Sequence, residues 1–213
     1  MMHIDERRLR SLLLDEWRDL RDPAHDIGHV ERVVHNAKTI ADAENGDLNI
    51  IVPAAWLHDV VSLPKNHPNR AKGSVTAADR AIALLSEHHF PETYFDAIHH
   101  AIAAHSFSAN IPCNSLEAKI VQDADRLDAL GAIGIARTFS VCGQLGRYLF
   151  DHNDPSARNR TPDDTIYGLD HFQIKLFKIA ETLHTQTARA IAADRVKFMS
   201  DFMDQIVHET IVK

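Results

Sequence analysis

One apolar run limits the folds open to this chain. Ile50-Ile51-Val52-Pro53-Ala54-Ala55-Trp56-Leu57 has no polar face, and it ends in the doublet His58-Asp59. The run reads as a buried helix, so other helices must surround it. A charged pair at the end of a buried helix needs a partner, because isolated buried charge costs several kcal/mol. A divalent metal is one such partner, since imidazole and carboxylate are both good ligands. A salt bridge or a helix-end hydrogen bond is another.

The rest of the chain has the same helical period. Stripes occur at Leu9, Leu12, Leu13, Trp17 and Leu20, then at Val30, Val33, Val34, Ala37, Ile40 and Ala41. They continue at Val75, Ala78, Ile82 and Leu85, at Phe95, Ile98 and Ile102, and at Ile120, Val121, Ala124, Leu127 and Leu130. This is the spacing of amphipathic helices, and no alternating strand pattern interrupts it. Only 8 glycines and 8 prolines break 213 residues. The expectation is an all-α fold in one domain, with helices over 4–21, 26–45, 47–59, 74–88, 91–105, 115–130 and 135–150. Two more, about 170–184 and 186–211, finish the chain. Asp26, Asp47 and Ser74 are expected N-caps and Gly46 a C-cap. Residues 60–70 read as a loop that overhangs the His-Asp pair. The polar stretch 151–170, with Pro155, Pro162 and Gly168, reads as a lid or edge.

A net charge of -7 with no basic block argues against a nucleic-acid polymer as partner. There is no apolar signal core and no apolar run of membrane-spanning length, so no membrane partner is expected. The two separated cysteines, Cys113 and Cys142, read as reduced thiols of a cytoplasmic protein. The amphipathic terminal helices allow packing in cis or pairing across a homodimer.

Fifteen histidines invite a search for metal ligands. His29 opens one helix, His58-Asp59 closes another, and Asp125 lies in the apolar context Val121-Gln122-Asp123-Ala124-Asp125-Arg126-Leu127. Two imidazoles and two carboxylates leave coordination positions open for water and a substrate oxygen, as hydrolysis requires. Singly, each has a plainer use: His29 as a helix-start histidine, Asp125 as the partner of Arg126 or Lys119.

The order His29…His58-Asp59…Asp125 resembles the HD superfamily of metal-dependent phosphohydrolases. The stretches 25–33, 119–137 and Asp170-His171-Phe172 with Lys175-Leu176 resemble motifs of a bacterial subgroup, so the likeness spans about residues 9–210. It implies a compact multi-helix fold with a central metal cleft. It also implies His29, His58, Asp59 and Asp125 as ligands of Mn²⁺, Mg²⁺, Ni²⁺, Co²⁺ or iron. The subgroup resembles nucleotide pyrophosphohydrolases, which split a nucleoside triphosphate into monophosphate and pyrophosphate. Related activities are those of a 5′-nucleotidase or phosphodiesterase, and a non-catalytic nucleotide-binding HD module is the reading from another class. No second domain is expected. Some two-metal relatives add histidines, for which His100 and His105 are available.

For the chemistry, Asp59 is a candidate to assist deprotonation of water. Lys65 and Arg126 are candidates to neutralise charge developing on phosphate. His25, Lys65, Asn66, His100, His105 and Asp128 are candidate substrate-binding or ligand-orienting residues, and Phe107 and Phe172 could stack on a base or belong to the core.

Overall fold

The computed structural model describes residues 5–18, 26–61, 72–106 and 109–210. Nine α-helices and no strand occur among them. No helix among the described residues is long and apolar enough to cross a membrane. The chain divides into two compact units, 1–125 and 126–213.

The first unit is built around the apolar run. Helix α1 (Glu6–Glu16) starts at Asp5, whose carboxylate accepts from the backbone N–H groups of Arg7 and Arg8. It ends earlier than the 4–21 expectation. Helix α2 (Ile27–Glu44) starts on Asp26, as expected. Its C-cap is Asn45 (φ 61°), one residue before the expected Gly46. Gly46 lies at a tightly packed place: a Cβ there would lie 2.5 Å from Ile51 Cδ1 and 2.7 Å from Ile120 Cδ1, so those methyl ends would have to shift. Helix α3 (Leu48–Leu57) is the apolar run, capped by Asp47, with residues 51–57 all buried. Pro53 lies inside it and removes one donor from its hydrogen-bond ladder. Helices α1, α2 and α5 (Phe95–His105) all pack on α3, and α4 (Gly73–Glu87) packs on α5. This ring lets a helix without a polar face exist in water.

Three more local expectations in this unit are corrected. Ser74 does not cap α4, which follows Lys72 with no side-chain cap. The Ser74 hydroxyl is buried and donates to Ala103 O at 2.8 Å. Ala77, Ala78, Ala81, Leu84 and Leu85 face inward, while Val75 and Ile82 are only half-buried. Small alanines allow the closer approach of α4 to α5. A 3₁₀ turn, Glu92–Tyr94, precedes α5 in place of a continuous helix from 91. Helix α6 (Leu116–Leu127) begins where Ser115 Oγ accepts from Ala118 N–H, and it reaches across the boundary between the units.

In the second unit, α7 (Gly131–Gln144) starts four residues before the expected 135 and ends before 150. It packs on α9 (Gln186–Thr210), as does α8 (Phe177–Glu181), which follows a π-helical turn at Phe172–Leu176. Phe172 is fully buried among Phe139, Phe177 and Phe202, so it is core. The polar 151–170 segment is fastened at Asp170. That buried carboxylate accepts two bonds from Arg160 (2.5 and 2.8 Å) and one from Asp163 N–H (2.7 Å). Arg160 also lies over the Tyr167 ring at 4.5 Å.

Candidate metal centre

Each candidate ligand is set by a local feature of its own helix. His29 is in the first turn of α2, where its N–H donates to Asp26 Oδ1 at 2.8 Å, and it is buried. His58 directly follows α3 and is fully buried; its Nδ1 lies 2.8 Å from Ala55 O. A carbonyl can only accept, so Nδ1 carries the proton and Nε2 offers a lone pair. The Asp59 backbone is steadied by Trp17, whose indole N–H donates to Asp59 O at 3.2 Å. Asp125 lies on α6. The preceding carbonyl, Ala124 O, accepts from buried Asn36 Nδ2 on α2 at 3.3 Å. This bond ties the helix of His29 to the helix of Asp125.

These four side chains converge. His29 Nε2 is 3.5 Å from Asp125 Oδ1 and 3.8 Å from Asp59 Oδ2. His58 Nε2 is 3.5 Å from Asp59 Oδ2 and 4.0 Å from Asp125 Oδ1. His105 joins them from the end of α5: its Nε2 is 3.6 Å from Asp59 Oδ1, and its ring stands edge-on to His58 at 5.0 Å. Burial lowers the pKa of His58, more strongly than the charges of Asp59 and Asp125 raise it. Burial also opposes charge on His105, but its pairing with Asp59 prevails and leaves its pKa raised.

The arrangement fits a divalent cation. His58 Nε2 is buried and has no hydrogen-bond partner. Its carboxylate neighbours stand at distances poor for direct hydrogen bonds. They suit ligand atoms that each lie about 2.1 Å from a shared ion. Two overlapping trios, His29-His58-Asp125 and His58-Asp59-His105, each gather their donor atoms within 4.8 Å of one another. The two carboxylates together match a double positive charge.

The HD-domain family model matches residues 26–130, which contain all five of these residues. An uncharacterised Bacillus subtilis protein, YpgQ, is 33% identical over 203 residues, 93% of this chain and 88% of its own length. The chain belongs to the HD superfamily. A solved HD-superfamily hydrolase from Bacillus thuringiensis is 33% identical, with TM-score 0.77, covering 98% of this chain and 97% of that one. The crystal structure of YpgQ in complex with ADP is 30% identical to this chain, with TM-score 0.74 and coverage of 96% and 97%.

His58-Asp59 is a His-Asp doublet inside the matched span. The structure brings His29, His58, Asp59, Asp125 and His105 together. It does not bring His100 to them: His100 Nε2 accepts from Asn114 N–H at 3.1 Å. Arg126 donates to Thr182 O (3.0 Å) and Oγ1 (2.9 Å). Buried Asp128 accepts from Arg137 at 2.8 Å. His25, Lys65, Asn66 and Phe107 lie outside the described residues. Sequence reasoning did not find the residues that support the site: Trp17, Asn36 and Gln122. Gln122 had a readable signal, since it sits one turn before Asp125 on the same helical face.

Proposed function

We propose that this HD-superfamily chain is a metal-dependent phosphohydrolase acting on nucleotides. It splits a nucleoside or deoxynucleoside triphosphate into the monophosphate and pyrophosphate. One observation carries the metal dependence: the buried, partnerless Nε2 of His58 facing the carboxylates of Asp59 and Asp125. The nucleotide as substrate class draws support from the ADP complex of its relative YpgQ.

His29, His58, Asp59 and Asp125 would hold the ion, and the mixed nitrogen and oxygen set accepts Mn²⁺, Mg²⁺, Ni²⁺, Co²⁺ or iron. When bound, the ion acidifies water and polarises a phosphoryl oxygen. Nδ1 of His58 keeps that ring in the ligating tautomer through Ala55 O. The Asp59 side chain is 18% exposed and that of Asp125 29%, so both carboxylates reach solvent, and Asp59 helps to carry the proton away. Water adds through its oxygen to the α-phosphorus. The bond from that phosphorus to the α–β bridging oxygen breaks, and its electron pair leaves with pyrophosphate. Lys65, six residues after Asp59 in the chain, is the candidate to neutralise the leaving charge.

The test is a product assay. Metal-stripped protein is given back each ion and offered ribo- and deoxynucleoside triphosphates, with products followed by phosphorus NMR and Asp125→Ala as control. The expected result is monophosphate plus pyrophosphate, lost in the variant. Inorganic phosphate plus nucleoside would move the activity to a nucleotidase. Tight nucleotide binding without turnover under any ion would refute the enzyme and leave a binding module.

A further inference from the structure

The hydrolase reading leaves His105 without a task, yet this residue is built into the centre. It is the last residue of α5 and is 7% exposed. Its Nδ1 lies 2.6 Å from Ile102 O, which can only accept, so in the neutral ring Nε2 offers a lone pair. The helix end that carries it is clamped. Ala103 O accepts from Ser74 Oγ at 2.8 Å and Ala104 O from Gln122 Nε2 at 2.7 Å, and both of those side chains are buried. Helix ends usually leave their last carbonyls to water. Here side chains from α4 and α6 hold them, and Gln122 lies one turn before Asp125. The position of His105 is thus fixed relative to the helix that carries Asp125.

Nε2 of His105 lies 3.6 Å from Asp59 Oδ1, while Nε2 of His29 and of His58 are nearest to Oδ2. Two acceptors at that distance are poorly placed for a direct bond to each other. They can share a single water, which would donate one proton to each through bent hydrogen bonds of about 2.8 Å. A water held by both protons presents its lone pairs on the opposite side.

We infer that His105 is a further catalytic residue of the proposed hydrolase: its Nε2 and Asp59 Oδ1 accept hydrogen bonds from the water that attacks phosphorus. The inference rests on the hydrolase reading. The lone pair of that water forms the new bond to the α-phosphorus, the bond to the bridging oxygen breaks toward pyrophosphate, and the surplus proton leaves through Asp59 to solvent.

His105→Leu and His105→Gln, loaded with Mn²⁺ at about pH 8.5, about two units above the ordinary imidazole pKa, test it. Three measurements are made: the Mn²⁺ dissociation constant by competition with a chromophoric chelator, steady-state kinetics giving kcat and KM for ATP and dATP, and water-proton relaxation of the Mn²⁺-loaded protein. In His105→Leu, Mn²⁺ affinity and KM should stay within about threefold of wild type while kcat falls about 100-fold. Relaxation should report faster water exchange. The glutamine amide oxygen reaches close to the place of Nε2, so His105→Gln should recover about tenfold of the lost kcat. A loss of Mn²⁺ affinity in His105→Leu of about tenfold or more would make His105 a ligand and overturn the inference. An unchanged kcat, or glutamine no better than leucine, would overturn it too. If wild-type protein turns over neither nucleotide with any ion, the hydrolase reading itself has failed. The relaxation measurement then decides alone: a change in His105→Leu supports the held water and no change refutes it.

Discussion

Replacing His58 by leucine separates what the site costs the fold from what the ion returns. In metal-free protein the ring has zero exposure and an Nε2 with no hydrogen-bond partner. Such a stranded polar atom costs about 1–3 kcal/mol. Leucine removes that cost. It also deletes the 2.8 Å bond from Nδ1 to Ala55 O and strands that carbonyl, a loss of about the same size. The two terms nearly cancel. In EDTA the variant should lie within about 1 kcal/mol of wild type, a shift of about 4 °C at most in melting temperature for a chain of this length. Truncating an ordinary well-paired core residue usually costs more. With free Mn²⁺ at about 100 times its dissociation constant, wild type should gain about 2.7 kcal/mol and the variant almost nothing. Differential scanning calorimetry in EDTA and in Mn²⁺ reads both arms. Equal stabilisation of both proteins by Mn²⁺ would refute His58 as a ligand. A loss above about 3 kcal/mol in EDTA would show that Nε2 is satisfied in the folded chain.

Two further outcomes concern the scaffold. A Cβ on Gly134 would lie 2.2 Å from Ala129 O, a backbone atom that cannot swing aside, so Gly134→Ala should cost about 3 kcal/mol by urea titration. A cost under about 1 kcal/mol would mean that the turn before α7 can give way. Glu16 is held by Arg80, whose guanidinium donates to both its oxygens (2.6 and 2.9 Å), and this hydrogen bonding depresses the Glu16 pKa. A depressed carboxylate stabilises the fold above its ordinary pKa and ceases to do so as pH falls through the folded value. Glu16→Gln should therefore cost about 0.5–1 kcal/mol at neutral pH, and the gap from wild type should close as pH drops below about 4.5. A gap that is constant with pH would refute the assignment.

The helical fold was readable because helix period is a local property. The stripes over α1, α2 and α3 and the aspartate caps at 26 and 47 depend on neighbours within one or two turns. The errors were of two kinds. Gly46 and Ser74 were assigned as caps from residue type alone, yet the structure uses both for contacts to other helices. Of the expected α4 stripe, Ala78 and Leu85 are buried but Val75 and Ile82 are only half-buried, and Ala77, Ala81 and Leu84 complete the packed face. Glycine, serine and alanine serve both for caps and for close approach. Which use applies depends on the partner helix.

The site divides along the same line. The sequence by itself determined that a buried helix ends in the ionisable pair His58-Asp59, which demands a partner, and that His29 and Asp125 are candidate co-ligands by their resemblance to the HD order. Tertiary structure alone decided how those donors are shared. It set Oδ2 of Asp59 toward His29 and His58 and Oδ1 toward His105. It left His100 with a backbone N–H, Arg126 with Thr182 and Asp128 with Arg137. The reason is geometric. Residues one turn apart share a face whatever surrounds them, whereas residues from α2, α3, α5 and α6 meet only at distances fixed by side-chain packing between helices far apart in the chain.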